Sequence, residues 1–176
     1  MPNPPFRADH IGSLLRPERV AKARKQRFEE KTLSADALRA VEDTAIIDLI
    51  RMQENVGLKA VTDGEQRRSF WHYDFLGMLT GFDLVERNEG VQFAGIKLRP
   101  IFPTITGMLD FPDNHPMLEH FRFVAAHTHV VPKISIPGPS CCHFRTARND
   151  IAPAAYRDSD VLFADIAATY KKAVQA

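Results

Sequence analysis

Cysteine is nearly missing from this chain of 176 residues: Cys141 and Cys142 are the only two, and they are adjacent. Adjacent thiols offer no framework of disulfides, so a reducing cytoplasm is the expected compartment. No apolar run approaches the roughly 20 residues that a membrane span requires, and the first residues carry no signal-peptide apolar region. No charge predominates either. Lys and Arg number 23 against 22 Asp and Glu, which gives no reason to expect nucleic acid or an anionic membrane as a partner. Internal repeats, low-complexity tracts and linkers are lacking as well. What is present is a hydrophobic fraction of 44%, enough for one core. Twelve prolines and twelve phenylalanines favour long structured loops over a helical bundle.

The run Arg7-Ala8-Asp9-His10-Ile11-Gly12-Ser13-Leu14-Leu15-Arg16-Pro17 reads as a first strand that ends in polar residues. Pro17 can open a helix over 17–30, at a first turn where its missing N–H costs nothing. The next helix is better marked. Ser34 is placed as its cap, and Leu38, Val41, Ala45, Leu49, Met52 and Val56 form one apolar stripe before Gly57. A second strand fits Leu58 to Thr62. Residues 70–81 predict a short helix or folded loop, and Phe82 to Arg99 an antiparallel ribbon turning at Asn88-Glu89-Gly90. Further strands are expected over Ile101 to Phe111 and Val130 to Ile136, with a helix opened by Pro116 between them. Asp158 or Ser159 caps a last helix striped by Leu162, Ile166, Tyr170 and Val174. Strand, helix, strand in repetition implies parallel strands with crossover helices. A closed (β/α)8 barrel takes about 250 residues, so the expectation is an α/β chain that forms the N-terminal portion of such a barrel. It would be one partial domain over 1–176, truncated, with an inserted ribbon.

Three polar clusters follow predicted strands: Asp9 to Ser13, Asp63-Gly64-Glu65, and Pro137 to Arg145. Parallel sheets build their sites at carboxyl strand ends. Each cluster also has a plainer explanation. Asp63-Gly64 is a common turn dipeptide, and Ser13 could cap the helix after Pro17 as readily as bind a ligand. Glu65 is less expected at a strand end, because a carboxylate there needs a cation: a substrate ammonium, Arg67 or Arg68 would serve. Cys141-Cys142-His143 suggests zinc, but adjacent cysteines on a strand point opposite ways and no second pair exists. His127 and His129 would share a strand face, yet they fall before a strand, where a solvated or capping role is expected.

With these pieces assembled, the chain resembles the cobalamin-independent methionine synthase family, most closely its short, single-barrel bacterial members. The resemblance rests on Arg7 to Pro17, Thr62 to Arg68, Gly95 to Pro100, Lys133 to Ser140, His143-Phe144-Arg145 and Phe163 to Ala167, in family order across nearly the whole chain. It implies a zinc-dependent methyltransferase that moves a methyl group from 5-methyltetrahydrofolate to homocysteine or a related thiol, giving methionine. By the family pattern, His10 lines the floor, Ile11-Gly12-Ser13 grips the amino acid's carboxylate and Glu65 pairs with its ammonium. Ser140 to Arg145 lies where folate binds, with His143 or Phe144 stacking on the pterin.

Two departures qualify this. The family's zinc ligands lie in the other half of the barrel, so none is assigned here, and neither is a catalytic residue; this chain alone would be inactive. Gly138-Pro139-Ser140 also stands where members often carry Ser-Pro-Ser. Expected partners are small molecules, a homocysteine-like thiol and a methylfolate, with self-association through the open barrel edge. Two other classes fit the residues less fully: a metal-dependent hydrolase using His127 and His129, and a non-catalytic binding module.

Overall fold

The computed structural model describes residues 10–86, 88, 92–97, 100–144 and 151–176. It is a mixed α/β chain of two compact units, Met1–Arg68 with Glu119–Ser135, and Ser69–Leu118 with Ile136–Ala176. Among the described residues, no helix is long and apolar enough to cross a membrane.

In the first unit, α1 (Glu18–Phe28) follows Pro17, which stands just before the helix as its cap position. The long α2 (Ala35–Asn55) begins where its cap predicts, with Ser34 Oγ accepting from Ala37 N at 3.1 Å. It is followed by Gly57 at φ 89°, a conformation glycine adopts without steric penalty. The buried face of α2 is rotated from the expected stripe. It holds Leu38, Glu42, Ala45, Ile46, Ile50 and Gln53, while Met52 and Val56 are exposed. Two polar residues can lie on that face because each meets a partner there. Glu42 accepts from Arg24 at 2.7 Å, and Gln53 pairs with the backbone of Thr62. Burial is the main influence on Glu42 and raises its pKa, with Arg24 acting against it.

Ile46 and Ile50 pack with Val61, Val124, Phe123 and Val130. That core joins α2 to the short parallel pair β1 (Ala60–Val61) and β6 (Val131–Pro132), in register Ala60 to Val131. Lys133 N extends the pairing by donating to Val61 O at 2.9 Å. Of the expected first strand, residues 10–17 form no strand ladder, and Arg7 to Asp9 lie outside the described residues.

In the second unit, α3 (Tyr73–Leu76) precedes a long antiparallel ribbon of β2 (Thr80–Glu86) and β5 (Ile101–Asp110). A small hairpin, β3 (Gln92–Phe93) with β4 (Ile96–Lys97), lies between them in sequence. The ribbon is therefore longer than predicted. Ile101–Asp110 is its second strand and no parallel barrel strand, since alternation alone does not reveal which strand a segment pairs with. Of the expected turn, Glu89 and Gly90 lie outside the described residues. At Gly81 (φ 72°) the register shifts, and an added Cβ would stand 2.3 Å from Met108 O.

Helix α4 (Pro116–His127) starts at its proline, and Cys141 and Cys142 open a helical turn, α5 (Cys141–Phe144), where a strand had been assumed. After a 3-10 turn at Ala154–Arg157, Asp158 caps α6 (Ser159–Gln175), which buries Leu162, Ile166 and Tyr170 but exposes Val174. Tyr156 O–H donates to Asp165 at 2.7 Å and accepts from Leu109 N at 2.8 Å, tying α6 to β5. His115 is buried against Phe111, with ring centroids 4.8 Å apart, and its Nδ1 accepts from Met117 N at 3.2 Å. Burial lowers its pKa.

Two expectations follow. Gly81→Ala combines a left-handed backbone with a collision against main chain, so it should destabilise the chain by about 2 kcal/mol or more, read from urea unfolding. His120 is held at a pKa of about 4, chiefly by burial and then by Arg67, Arg39 and Arg68, against 6.5 when unhindered. The unfolded chain thus binds the proton first, and stability is lost as pH falls from about 6.5 toward 4. The urea midpoint of the parent should drop more steeply over that window than that of His120→Gln.

Candidate functional site

The site grows from the end of β1. Thr62 is fixed on both backbone atoms by one amide: Gln53 Nε2 donates to its carbonyl at 2.9 Å and Gln53 Oε1 accepts its N–H at 3.0 Å. The buried hydroxyl of Thr62 then donates to Gly12 O at 2.7 Å and accepts from Gly64 N at 3.1 Å. His10 Nε2 stands 3.5 Å from the same hydroxyl, and its carbonyl accepts from the Lys133 ammonium. Leu14 bonds the loop twice more. Its N–H donates to Gly64 O at 3.1 Å, and its carbonyl accepts from Gln66 Nε2 at 3.3 Å. The segment 10–16 therefore lies along the 62–68 loop, with Gly12 buried and Ile11, Ser13 and Leu15 facing outward.

The loop itself is strained in one place. Asp63 Oδ1 accepts from Glu65 N at 2.9 Å, an Asx turn, and Gly64 and Glu65 are both left-handed at φ 65° and 58°. Glycine takes that conformation freely; for Glu65 it is uncommon and costs free energy. Asp63 and Gly64 are thus turn residues, as the plainer explanation had it. Glu65 is the residue the turn presents. Its side chain is only 13% exposed, and its Oε1 accepts from Ser135 Oγ at 2.6 Å and from Arg68 Nη1 at 3.2 Å. Arg68, itself buried, also donates to Ser135 O at 2.5 Å. Of the cations named for Glu65, Arg68 is the one in contact. Arg67 instead pairs with Asp43 and lies 4.8 Å over the ring of Phe123. A Cβ on Gly12 would stand 2.7 Å from Ser135 Oγ and 3.4 Å from Glu65 Oε1, so glycine is what admits this arrangement.

Gly12 and Glu65 are therefore brought together beyond two parallel strands, with His10 close by and Ser13 outward. Ser140 and His143 belong to the second unit. Ser140 is exposed, and the His143 ring meets Phe163 edge-on at 5.2 Å. The side chain of Phe144, and all of Arg145, lie outside the described residues. Tyr170 O–H anchors the preceding loop, donating to Pro137 O at 2.9 Å. Cys141 and Cys142 are buried, and burial above all pushes the Cys142 thiol up to about 11. A thiol so held is a poor source of thiolate. His127 turns its ring to Phe123 O of its own helix at 2.7 Å, and His129 N donates to Glu54, in keeping with capping. Among the described residues, no three His, Cys, Asp or Glu side chains gather as a metal site. Ser135 escaped the sequence reading, while Arg68 was named there only as one of the cations that could meet Glu65. The available signal was a hydroxyl interrupting the apolar run Ile134 to Ile136.

No family model matches the chain. It is 40% identical over 175 residues to the uncharacterised protein YxjG of Bacillus subtilis, and 39% identical over 173 residues to YxjH of the same organism. Both alignments cover 98% of this chain and 45% of the relative. Among solved structures it resembles a provisionally named vitamin-B12-independent methionine synthase from Listeria monocytogenes, with a TM-score of 0.77 and 36% identity over 97% of this chain and 48% of that one. A B12-independent methionine synthase from Shewanella sp. W3-18-1, in complex with selenomethionine, shares the fold at a TM-score of 0.53 and 21% identity, over 88% of this chain and 47% of that one. The structural neighbours thus carry the name of the family that the ordered motifs resemble, and the chain spans about half the length of the relatives it matches.

Thr62 joins β1 to both parts of the site. Thr62→Val keeps its shape but leaves Gly12 O and Gly64 N without a partner, so it should lower stability by about 1–3 kcal/mol, measured as a shift in the urea midpoint.

Proposed function

We propose that this chain supplies the amino-acid-binding part of a methyltransferase of the cobalamin-independent methionine synthase type. The reaction so inferred moves a methyl group from 5-methyltetrahydrofolate, as its polyglutamate, to the thiol of homocysteine or a related acceptor. One observation carries the reading: a carboxylate, Glu65, is held by Arg68 and Ser135 beside the buried Gly12, beyond the carboxyl ends of β1 and β6. An α-amino acid presents one carboxylate and one ammonium, and this arrangement offers a counterpart to each. The outward Ser13 hydroxyl, with the backbone of Ile11 and Gly12, would take the carboxylate, over a floor that His10 lines. Glu65 would take the ammonium. Ser140, His143, Phe144 and Arg145 would receive the folate.

The motif order and the likeness to longer relatives support a (β/α)8 barrel of which this chain is the N-terminal portion, one partial domain with the β2–β5 ribbon inserted. We further propose a cytoplasmic setting and self-association through the open barrel edge. The reaction would use zinc to activate the thiol as a thiolate. The described residues do not fit that metal, so no step is routed through it, and ligands for it are expected elsewhere; this chain would be inactive alone.

Calorimetric titration of the chain with L-methionine and L-homocysteine tests the reading. Glu65→Gln removes a charge-assisted contact, so the affinity for either amino acid should fall about tenfold or more. Unchanged affinity in a variant that keeps the parent's far-UV spectrum would overturn the role given to Glu65.

A further inference from the structure

We infer that Ser135 and Arg68 are positioning residues that aim the carboxylate of Glu65 at a ligand ammonium. The inference rests on the amino-acid-binding reading of the site and adds to it the device by which the amine is recognised. Among the described residues, the two contacts to the Glu65 side chain land on one oxygen: Oε1 accepts from Ser135 Oγ at 2.6 Å and from Arg68 Nη1 at 3.2 Å. Two donors on one oxygen restrict rotation of the carboxylate, and among the described residues no contact is made to the other oxygen, Oε2. Hydrogen bonds with a charged partner are short and directional, so a carboxylate fixed in this way accepts an ammonium at a defined angle.

Neither gripping group is itself loose. Ser135 comes two residues after Lys133, whose N–H donates to Val61 O at 2.9 Å, so the parallel pairing of β6 with β1 sets its position. Arg68 is buried and bonds Ser135 O at 2.5 Å, clamping the same residue from its backbone. The Glu65 backbone is held independently by Asp63 Oδ1 at 2.9 Å, in a left-handed conformation a glutamate rarely keeps. Strand pairing, a buried guanidinium and a strained turn therefore converge on one oxygen atom. Gly12 completes the arrangement from the other side, because any Cβ there would strike Ser135 Oγ at 2.7 Å. The glycine is required as much by the hydroxyl as by a ligand.

This arrangement distinguishes ligands by their amine. L-methionine has an ammonium for Glu65, and 4-(methylthio)butanoate is the same molecule without it. The test titrates both into the 176-residue chain and into its Ser135→Ala and Gly12→Ala variants, with far-UV spectra and thermal midpoints recorded for each. The parent should prefer L-methionine. Ser135→Ala should lose about tenfold for L-methionine and less than about twofold for the desamino analogue, because the carboxylate grip and the apolar contacts are untouched. Gly12→Ala, which displaces the hydroxyl without removing it, should narrow the preference in the same direction. If the parent prefers L-methionine and Ser135→Ala keeps that preference in full, or loses both ligands equally, the positioning inference falls and the amino-acid-binding reading stands. If the parent does not bind L-methionine, or binds it no better than the desamino analogue, the reading of Glu65 falls and takes this inference with it.

Discussion

The carboxamide of Gln53 makes two hydrogen bonds to the backbone of Thr62, one donated and one accepted, in the way a neighbouring strand would. A buried amide left unpaired costs free energy on both sides of the exchange, so this pairing fixes how far β1 runs and where its chain turns. The turn at Thr62 in turn fixes the hydroxyl that bridges Gly12 and Gly64, and hence the alignment of segment 10–16 along the loop. Displacing the amide would misplace the carboxylate three residues later. Gln53 lies in the last turn of α2 and touches the site only through Thr62, yet the site's geometry is referred to it.

The sequence stated the ends of elements well and their partners poorly. Ser34, Gly57, Pro116 and Asp158 mark helix boundaries through chemistry local to each residue, and those boundaries hold in the structure. The pairing of Ile101–Asp110 with Thr80–Glu86 is set by contacts some twenty residues distant in the chain, which no local period contains. The face of α2 was misjudged for a related reason. A stripe drawn through apolar residues omits Glu42 and Gln53, whose burial depends on Arg24 and on the backbone of Thr62. Polar residues reach the interior when a partner waits there, and the partner is invisible to periodicity.

The candidate site divides along the same line. The residues Asp63, Gly64 and Glu65 stood out because a carboxylate after a turn at a strand's end demands a cation. That the cation in contact is Arg68 and not Arg67 depends on the left-handed turn, since each residue of a turn points its side chain differently. Ser135 carried no distinguishing mark beyond a hydroxyl in an apolar run. Its importance is purely spatial, coming from the register of a two-residue parallel pair.

Three arginines in the first unit share a habit: each spends a guanidinium N–H on a main-chain carbonyl of the site loops. Arg24 donates to Arg67 O at 3.0 Å, Arg16 to Arg68 O at 2.7 Å, and Arg68 to Ser135 O. Carbonyls are dipoles with no net charge, so these bonds do not weaken with ionic strength as ion pairs in solvent do. Exposed pairs such as Arg19 with Asp48 and Arg39 with Glu119 are the ones that added salt screens. In brine, then, the surface of this unit would lose much of its electrostatic attraction while the loops that shape the site kept theirs.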